Sequence, residues 1–517
     1  MVSMSPLLRA ALLTLAMPIV LSAQVIGGYE PRYEGSRWIL AYGSYEGPEQ
    51  FAVNELQRMV QRYVPYVLTV LPAVEADVQN GKTNLLLLGT AADNPALAEL
   101  GRRGLIELPS RPQSYSVGCL KSPSNPELRI VFIAGADAAG VLYGVEEFNV
   151  RLAAVTPDDP KLMRHAFDGI EEFHVSETPW IENRGTWTWG YVIYDYRRFI
   201  DNMVRLKMNR LTTWNDQPPV NARELIAYAH ARAVKVVFGF HWGWGLGKLD
   251  PTNPSHLQEV RASVLERYER DYSKLDLDGV YFQTFTEQSN TQIGGKSIAA
   301  LACDWVNDIA GALLARHPSL RIEFGLHATS ILENYTDLKP LDPRVTIVWE
   351  DAGVIPYSYN PLVRFPMGEG PRGLGDVNST IEYSKKIATF RPGNEFAMVA
   401  KGWTTLRWGS EFEHHGPFVI GERDAAFIRE RARERQPRWD AVNAGWFNYY
   451  PEALRLFREV RQTTPNPMLV LGLIEDGEFE EHIEPSAAML GEMLWNGRRP
   501  DQEIIDRAMN PYYRSGR

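Results

Sequence analysis

The stretch Leu277-Asp-Gly-Val-Tyr-Phe-Gln-Thr-Phe-Thr-Glu287 decides the fold of this chain. An apolar run rich in β-forming residues ends on one carboxylate, and a helical pattern follows from about Lys296 to Arg316. A buried strand followed by a helix is the repeating unit of parallel α/β proteins, in which functional side chains gather at the carboxyl ends of the strands. Glu287 is therefore a candidate proton donor. The alternative is that Glu287 caps the following helix or pairs with an arginine.

The same strand-then-helix step recurs through the rest of the chain. Helical patterns lie between most of the apolar runs, and eight such steps over roughly 320 residues are typical of a (β/α)8 TIM barrel with enlarged loops. The predicted strands are Ile181–Trp187, Arg210–Trp214, Val234–Phe240, Gly279–Phe285, Arg321–Leu326, Val345–Trp349, Phe396–Ala400 and Met468–Leu473. The stretch 356–392 is rich in glycine and proline, and we predict a functional loop there.

The chain before the barrel has a shorter alternation of strands and helices. We predict strands at Ser36–Ala41, Asn84–Gly89 and Glu127–Ala134, and helices at Glu49–Tyr63 and Val141–Leu152. This pattern predicts a small α/β layer domain over residues 24–175, followed by the barrel over residues 176–517. The turn Gly135-Ala-Asp-Ala-Ala-Gly140 is interpreted as a tight strand-to-helix connection rather than a phosphate-binding loop.

Composition and charge exclude several classes of protein. A chain of 517 residues is too long to fold around one hydrophobic core, so more than one domain is expected. The net charge of −10 argues against nucleic acid as the partner, because binding to phosphates needs a basic face. Cys119 and Cys303 are the only cysteines, and we predict that both are buried rather than part of a disulfide framework. No cluster of Cys and His has ligand spacing, so we expect neither a metal nor another cofactor.

The first 23 residues have the three parts of a secretory signal peptide. Arg9 supplies the positive charge, Ala10–Leu21 is an apolar run broken by Pro18, and Ser22-Ala23 offers a cleavage point between small residues. We therefore expect a secreted or periplasmic protein. No later segment approaches the length of a membrane span in the sequence pattern, so we expect no membrane partner after the signal is removed.

Aromatic and polar side chains follow the predicted strands at their carboxyl ends. The pattern is typical of a carbohydrate pocket, because sugar rings stack on aromatic rings and sugar hydroxyls bind amide, carboxylate and imidazole groups. A tryptophan at a strand end can alternatively belong to the core. The residues predicted to bind a carbohydrate substrate are Trp189, Trp214, Asn215, Asp216, His241, Trp242, Gln288, His327, Lys401 and Trp403.

Carboxylates at the strand ends are candidates for glycoside hydrolysis, which commonly uses one carboxylic acid and one carboxylate on opposite faces of the sugar. Glu287 is the predicted acid, because burial beside Phe285 would favour its protonated form. Asp351, almost across the barrel, is the predicted base that activates water. A separation of roughly 6.5–9.5 Å between the carboxyl groups indicates inversion, and one of roughly 5–5.5 Å indicates retention.

Short motifs in this chain resemble glycoside hydrolases of families 20 and 67, in which a small α/β domain precedes the barrel. Gly140-Val-Leu-Tyr-Gly144 is similar to the end of that domain, and Thr286-Glu287-Gln288 resembles the segment that holds the acid glutamate of family 67 α-glucuronidases. The resemblance implies that Glu287 is the general acid and Asp351 the base, with Glu350 in reserve. Further similar segments are Arg184-Gly185, Tyr196–Thr213, Asp304–Asp308, His317-Pro318, Leu341–Val345 and Leu494–Asn496.

The chain departs from both families at identifiable positions. Family 20 enzymes have an adjacent Asp-Glu pair after the fourth strand, whereas this chain has Thr286-Glu287, which puts substrate-assisted cleavage of N-acetylhexosamines in doubt. The segment of family 67 that holds its base carboxylates is not reproduced clearly, so α-glucuronidase activity is only a leading hypothesis. Lys401 or Arg184 would then bind a uronate carboxylate, or either would make a structural ion pair.

The sequence thus predicts an exported glycoside hydrolase that acts on oligosaccharides from plant or algal polysaccharides. Two other functions stay open. One is a non-catalytic carbohydrate-binding protein on a degenerate barrel. The other is a polysaccharide lyase that uses His241 or His327 as its base.

Overall fold

The N-terminal part of the chain forms a six-stranded mixed sheet. The computed structural model describes residues 35–76, 81–155, 167, 169–215, 217–243, 249–288, 290–327, 330–350, 377–406 and 416–514. The strands of this sheet are β1 (Trp38–Tyr42), β2 (Thr69–Pro72), β3 (Asn84–Thr90), β4 (Tyr115–Lys121), β5 (Arg129–Gly135) and β6 (Phe173–Glu177). Their order is β2-β1-β3-β5-β4-β6, and β4 runs antiparallel to both of its neighbours.

Three helices cover the two faces of this sheet. Gly47–Val60 and Ala138–Val155 pack on one face, and Pro95–Arg102 packs on the other. The predicted strands of this region are confirmed as β1, β3 and β5, while β2, β4 and β6 are additional. At the turn into helix Ala138–Val155, a Cβ on Gly140 would collide with the backbone carbonyl of Ser114. Close strand-to-helix packing therefore explains this glycine.

Eight parallel strands then close into a barrel, which confirms the predicted TIM barrel. Its strands are β7 (Asn183–Trp189), β8 (Arg210–Trp214), β9 (Lys235–Gly239), β10 (Gly279–Gln283), β13 (Ile322–Leu326), β14 (Val345–Trp349), β15 (Phe396–Trp403) and β16 (Met468–Ile474), while β11 (Gln292–Ile293) and β12 (Lys296–Ser297) form a separate hairpin. The eight barrel strands are almost wholly buried, because one face packs on helices and the other fills the barrel.

Helices surround the barrel, and short polar side chains fix where several of them begin. Asp195 accepts hydrogen bonds from the N–H groups of Arg197 and Arg198, and Ser297 accepts one from that of Ala300. The helices are Tyr196–Arg205, Ala222–His230, Pro254–Arg267, Ile298–Arg316, Val377–Thr389, Ala425–Asn448, Tyr450–Thr463, Glu478–Glu481, Pro485–Asn496, Asp501–Ala508 and Pro511–Arg514.

Two expectations about these segments are corrected. Residues 377–389 form a helix, so the stretch predicted to be one long loop contains regular structure. Helix Ile298–Arg316 is long and apolar enough to cross a membrane, contrary to the expectation that no later segment reaches that length. Its apolar side chains instead pack among the barrel strands and neighbouring helices, which is typical of a core helix. The predicted signal peptide lies outside the described residues.

A buried ion network joins the N-terminal sheet to the barrel. Glu147, on helix Ala138–Val155, lies 2.6 Å from Arg507 and 3.5 Å from Lys207. Burial raises the pKa of Glu147, but the attraction of these cations outweighs burial and lowers it to about 2. Glu492 forms ion pairs with Arg507 and Arg499, and each guanidinium nitrogen lies 2.6 Å from the carboxylate. The junction is therefore held by charges that are paired and stay ionised over a wide pH range.

Candidate active site

The carboxyl ends of the barrel strands form a mouth whose inner wall is aromatic. Trp187, Trp214 and Tyr281 belong to the cluster that fills the barrel, and the half-buried Trp189 packs on it. Trp189 meets Trp187 and Trp214 edge to face, with ring centroids 5.7 and 6.1 Å apart. Trp187 and Trp214 are buried, so Trp189 is the ring of this group that a ligand would contact first.

Glu350 lies at the centre of the polar groups in this mouth. The Tyr281 hydroxyl donates a hydrogen bond to Glu350 Oε1, and the amide nitrogen of Gln283 lies 3.4 Å from the same oxygen. Lys401 Nζ lies 3.3 Å from the other oxygen, Oε2. Since Glu350 is only 2% exposed, its charge depends on these partners to offset lost hydration. The cation and the phenol donor both favour the ionised carboxylate.

Alternation along the strands brings these groups together. Tyr281 and Gln283 are two residues apart on β10, so both face into the barrel, whereas Phe282 between them belongs to the layer that faces the helices. Glu350 follows the last residue of β14, and Lys401 lies within β15. Both continue the inward-facing series of their strands, which includes Val348 and Val399, respectively.

Two glycines leave the space that the Tyr281 side chain occupies. A Cβ on Gly325 would collide with the Tyr281 hydroxyl, and a Cβ on Gly239 would lie 3.1 Å from the Tyr281 ring and 2.9 Å from Trp214. Larger residues on these neighbouring strands would therefore displace the phenol from Glu350.

Glu287 lies on the loop after β10 and is exposed, so the expected burial beside Phe285 is wrong. The buried Thr286 connects this loop to the loop after β13: its hydroxyl lies 3.4 Å from the His327 N–H nitrogen, and its carbonyl accepts a hydrogen bond from Ser330. His327 is 6% exposed. Glu287 is thus an exposed residue on an anchored loop.

Glycoside hydrolases are among the solved structures to which the chain is similar. The chain is similar to CpGH84B, with a TM-score of 0.48 and 11% identity over 91% of this chain and 70% of that one. It is similar to BtGH115A, a family 115 4-O-methyl-α-glucuronidase with specificity for decorated arabinogalactans, with a TM-score of 0.48 and 14% identity over 92% of this chain and 59% of that one. For a family 89 glycoside hydrolase from Clostridium perfringens, the TM-score is 0.40 and identity 9%, over 91% and 51%. No protein-family model and no curated protein sequence matches.

Two of the tryptophans predicted to bind substrate belong to the core instead. Trp242 follows β9 and continues the series of side chains that faces the helices rather than the barrel interior. Its ring stacks on that of Phe282, with ring centroids 3.7 Å apart. A β-bulge between Ala400 and Trp403 shifts the alternation by one residue, so Trp403 turns outward and stacks on Trp446 at 4.0 Å. Both Trp242 and Trp403 are fully buried, so neither can meet a ligand in this structure.

Arg184 is also structural, so its proposed contact with a uronate is wrong. It lies in the amino-terminal half of β7, fully buried and far along the strand from the mouth. Its guanidinium group donates to the carbonyls of Lys207 and Ile181, and to Gln113 at 2.9 Å. Arg184 therefore joins the barrel to the N-terminal region.

Asn215 and His241 lie at the ends of β8 and β9 in different settings. Asn215 is 1% exposed, and its amide nitrogen donates to Thr213 Oγ1 at 3.1 Å. His241 lines a cavity of about 210 Å³ against helix Pro254–Arg267, together with Glu259 and Arg267. Asn215 is thus fixed beneath the rim, whereas His241 faces this side cavity.

The last barrel strand presents a carboxylate that serves the structure. Asp476 has a φ of 86°, which is unusual for a residue other than glycine. It is held there by Arg431 Nε at 2.7 Å and Arg435 Nε at 3.1 Å. The adjacent Glu475 is buried and accepts a hydrogen bond from the Thr404 hydroxyl at 2.8 Å.

Two predicted site residues, Asp216 and Asp351, lie outside the described residues, so the predicted pairing of Glu287 with Asp351 stays a prediction.

Gln288 follows Glu287, and its side-chain amide donates to a backbone carbonyl of the same loop at 2.5 Å. Tyr281 and Gln283 are the residues of the mouth that the sequence interpretation missed. Side chains alternate between the two faces of a strand, so counting back from the end of β10 could have identified both residues as pointing into the barrel.

Proposed function

We propose that the protein is an exported glycoside hydrolase that acts on oligosaccharides derived from polysaccharides. The observation that carries the proposal is the buried carboxylate of Glu350, held by Tyr281 and Lys401 beside the aromatic wall of the mouth. Glycoside hydrolysis passes through an oxocarbenium-like transition state, which a preorganised carboxylate stabilises. Export rests on the signal-like sequence of residues 1–23.

In this proposal Glu350 is the base or nucleophile and Glu287 is the general acid. The contacts of Glu350 favour its ionised form, which both of those roles require. Glu287 is exposed on the loop after β10, so its carboxyl group is accessible to a bound sugar. Asp351 remains the alternative base.

Charge balance bears on the proposed α-glucuronidase-like specificity. Lys401 Nζ already faces Glu350 at 3.3 Å, and its side chain is 18% exposed. A uronate bound to Lys401 would bring a second carboxylate to the same ammonium group, which a neutral sugar would not do. Rates for an aryl α-glucuronide and the matching α-glucoside therefore distinguish a uronate-specific enzyme from one that prefers neutral sugars.

Turnover of a panel of aryl glycosides and uronate-bearing oligosaccharides tests the proposal. We expect Glu287→Gln to lower kcat by about 100-fold or more on substrates with a poor leaving group, while sugar binding and folding are retained. Glu266→Gln is the matched control, because Glu266 is an exposed carboxylate on a barrel helix. Full activity in Glu287→Gln would remove Glu287 from the mechanism, and no turnover of any glycoside by the wild-type protein would contradict the proposal.

One observation favours a second candidate function, a non-catalytic carbohydrate-binding protein. Glu350 is almost fully buried and paired with Lys401, as structural carboxylates often are. Binding would then depend on Trp189, and Trp189→Ala would abolish oligosaccharide affinity in a protein without turnover. A lyase with His327 as base would instead release unsaturated products that absorb in the ultraviolet.

A further inference from the structure

Tyr281 makes the contact in the mouth that the sequence motifs do not explain. The side chain is fully buried, yet its hydroxyl reaches past the intervening strand β13 to Glu350 Oε1 at the end of β14. Lys401 occupies the opposite oxygen, Oε2. The phenol and the ammonium group therefore fix the orientation of the carboxylate plane from two sides.

The Tyr281 ring has little freedom to leave this position. Trp187 and Trp214 meet it edge to face, with ring centroids 6.0 and 5.9 Å away and interplanar angles of 74° and 82°. Gly325 lies against the hydroxyl, where any Cβ would collide. A ring held by packing on several sides orients its hydroxyl without a further loss of entropy when a ligand binds.

Gln283 determines which way the phenol donates. Its amide nitrogen lies 3.2 Å from the Tyr281 hydroxyl oxygen, so the amide donates to the phenol and the phenol proton is directed to Glu350. The three groups form a relay from Gln283 through Tyr281 to the carboxylate. Such relays polarise each member and strengthen the last hydrogen bond.

We infer that Tyr281 is a positioning residue for Glu350, that Gln283 supports both groups, and that Gly325 acts through Tyr281. The inference rests on the proposed function, in which Glu350 is the ionised partner of the general acid. Tyr281 itself is buried beneath the mouth, so it acts on the reaction through Glu350 rather than by touching substrate. The Tyr281 hydroxyl holds Glu350 Oε1 in place and stabilises the negative charge of the carboxylate. Lys401 supplies the cation at the other oxygen, Oε2.

Tyr281→Phe tests the inference because it removes the hydroxyl and keeps the ring that packs on Trp187 and Trp214. For a glycoside that the wild-type protein cleaves, we expect kcat to fall about tenfold or more, with KM changed less than about threefold, and the acid limb of the pH–rate profile to move to higher pH. Tyr45→Phe is the matched control, because the exposed Tyr45 hydroxyl bonds to Asn54 in the N-terminal region.

A carboxyl ¹³C NMR titration separates failure of this inference from failure of the proposed function. The Glu350 resonance is assigned by its loss in Glu350→Gln, and its titration is compared in wild-type protein and Tyr281→Phe. A midpoint that moves to higher pH in Tyr281→Phe supports positioning, even if no glycoside is cleaved. An unchanged midpoint together with unchanged kcat, or an unchanged midpoint in a protein without turnover, overturns it.

Gln283→Met gives a second, milder test that keeps the length of the side chain. Removing the amide leaves the phenol free to rotate, so we expect a smaller fall in kcat and a smaller shift of the Glu350 titration than in Tyr281→Phe. Gly325→Ala should reproduce the shift of Tyr281→Phe because its Cβ displaces the hydroxyl. No shift in either variant would mean that the relay does not act on Glu350.

Discussion

Two buried carboxylates of the barrel, Glu323 near its amino-terminal end and Glu350 at its mouth, are held in different ways. At the amino-terminal end, the fully buried Glu323 faces two guanidinium groups, with Arg321 Nε 2.6 Å and Arg210 Nη1 3.8 Å away. At the mouth, the contacts of Glu350 with the described residues include the ammonium group of Lys401 and two uncharged donors, the Tyr281 hydroxyl and the Gln283 amide.

We interpret this difference as one between a group that stabilises the fold and one to which our proposal assigns a role in catalysis. Arg321 also pairs with Glu395, which in turn accepts a hydrogen bond from Asn183 at 2.6 Å. The charged groups of the amino-terminal cluster thus pair with one another. The groups around Glu350 instead lie beside side chains that solvent can reach, the half-buried Trp189 and the 18% exposed Lys401. In (β/α)8 barrels the amino-terminal end serves stability and the carboxyl end holds the active site.

The largest effect is expected when the amino-terminal cluster is broken. Glu323→Gln leaves Arg210 and Arg321 facing each other without the carboxylate between them, which should lower the free energy of unfolding by about 3–5 kcal/mol. Urea unfolding measures this loss, and kcat of the folded variant should be unchanged. A loss below about 1 kcal/mol, no larger than that of Glu266→Gln, would mean that the two ends do not differ in stability.

A buried carboxylate without such compensation should destabilise the fold as pH rises. Glu480, on the short helix after β16, accepts a hydrogen bond from the Tyr194 N–H, but burial raises its pKa to about 8. Between pH 4.5, the ordinary pKa of a glutamate, and about pH 8, the folded state holds a proton that the unfolded state has lost, so stability falls through this window. Glu480→Gln should remove this fall, worth about 2–4 kcal/mol. Parallel stability–pH curves for variant and wild type would contradict this assignment.

The Lys401 ammonium group should matter for rate more than for stability. Lys401→Met keeps the length of the side chain and removes the ammonium group from Glu350, which should lower kcat by about 10- to 100-fold and move the acid limb of the pH–rate profile to higher pH. Steady-state kinetics on a neutral glycoside and a glucuronide measure the effect. If only KM for the glucuronide rises, Lys401 binds substrate rather than supporting Glu350.

The smallest effect concerns a glycine that neither cluster requires. Gly311 lies in helix Ile298–Arg316, and a Cβ there would meet nothing within 4 Å. Gly311→Ala should therefore stabilise the protein by about 0.5–1 kcal/mol, since alanine loses less backbone entropy in a helix. Thermal unfolding measures the gain, and Gly325→Ala is the contrast because its Cβ collides with Tyr281. Equal effects of the two substitutions would contradict the packing described for the mouth.

The sequence predicted the barrel well because most strands buried on both faces, such as Val345–Trp349 and Met468–Ile474, read as largely apolar runs. Arg210–Trp214 and Val345–Trp349 have the predicted bounds. Strands that are buried unevenly were missed. β2 has four residues and ends on Pro72, the apolar pattern of β4 is interrupted by Gly118, and β6 alternates half-buried and exposed residues. Helix Val377–Thr389 was hidden because glycines and prolines precede it.

The candidate site was only partly predictable for a related reason. Positions at the carboxyl ends of the predicted strands include Glu350, Lys401 and Trp189, and the structure places these three residues at the mouth. The same criterion selected Trp242 and Trp403, because residue position does not reveal which way a side chain points once a strand has ended or bulged. Tyr281 and Gln283 lie within β10 rather than after it, and the alternation that turns them inward identifies them only once the strand is placed.

The kcat of Glu350→Gln, on a glycoside that the wild-type protein cleaves, tests the central claim most directly. The substitution keeps the shape of the side chain and removes the charge that Tyr281 and Lys401 hold. We predict that kcat falls by about a thousandfold while oligosaccharide affinity changes less than about threefold. A kcat within about threefold of the wild-type value would contradict the assignment and place Glu350 with Glu323 among the carboxylates that serve only the fold.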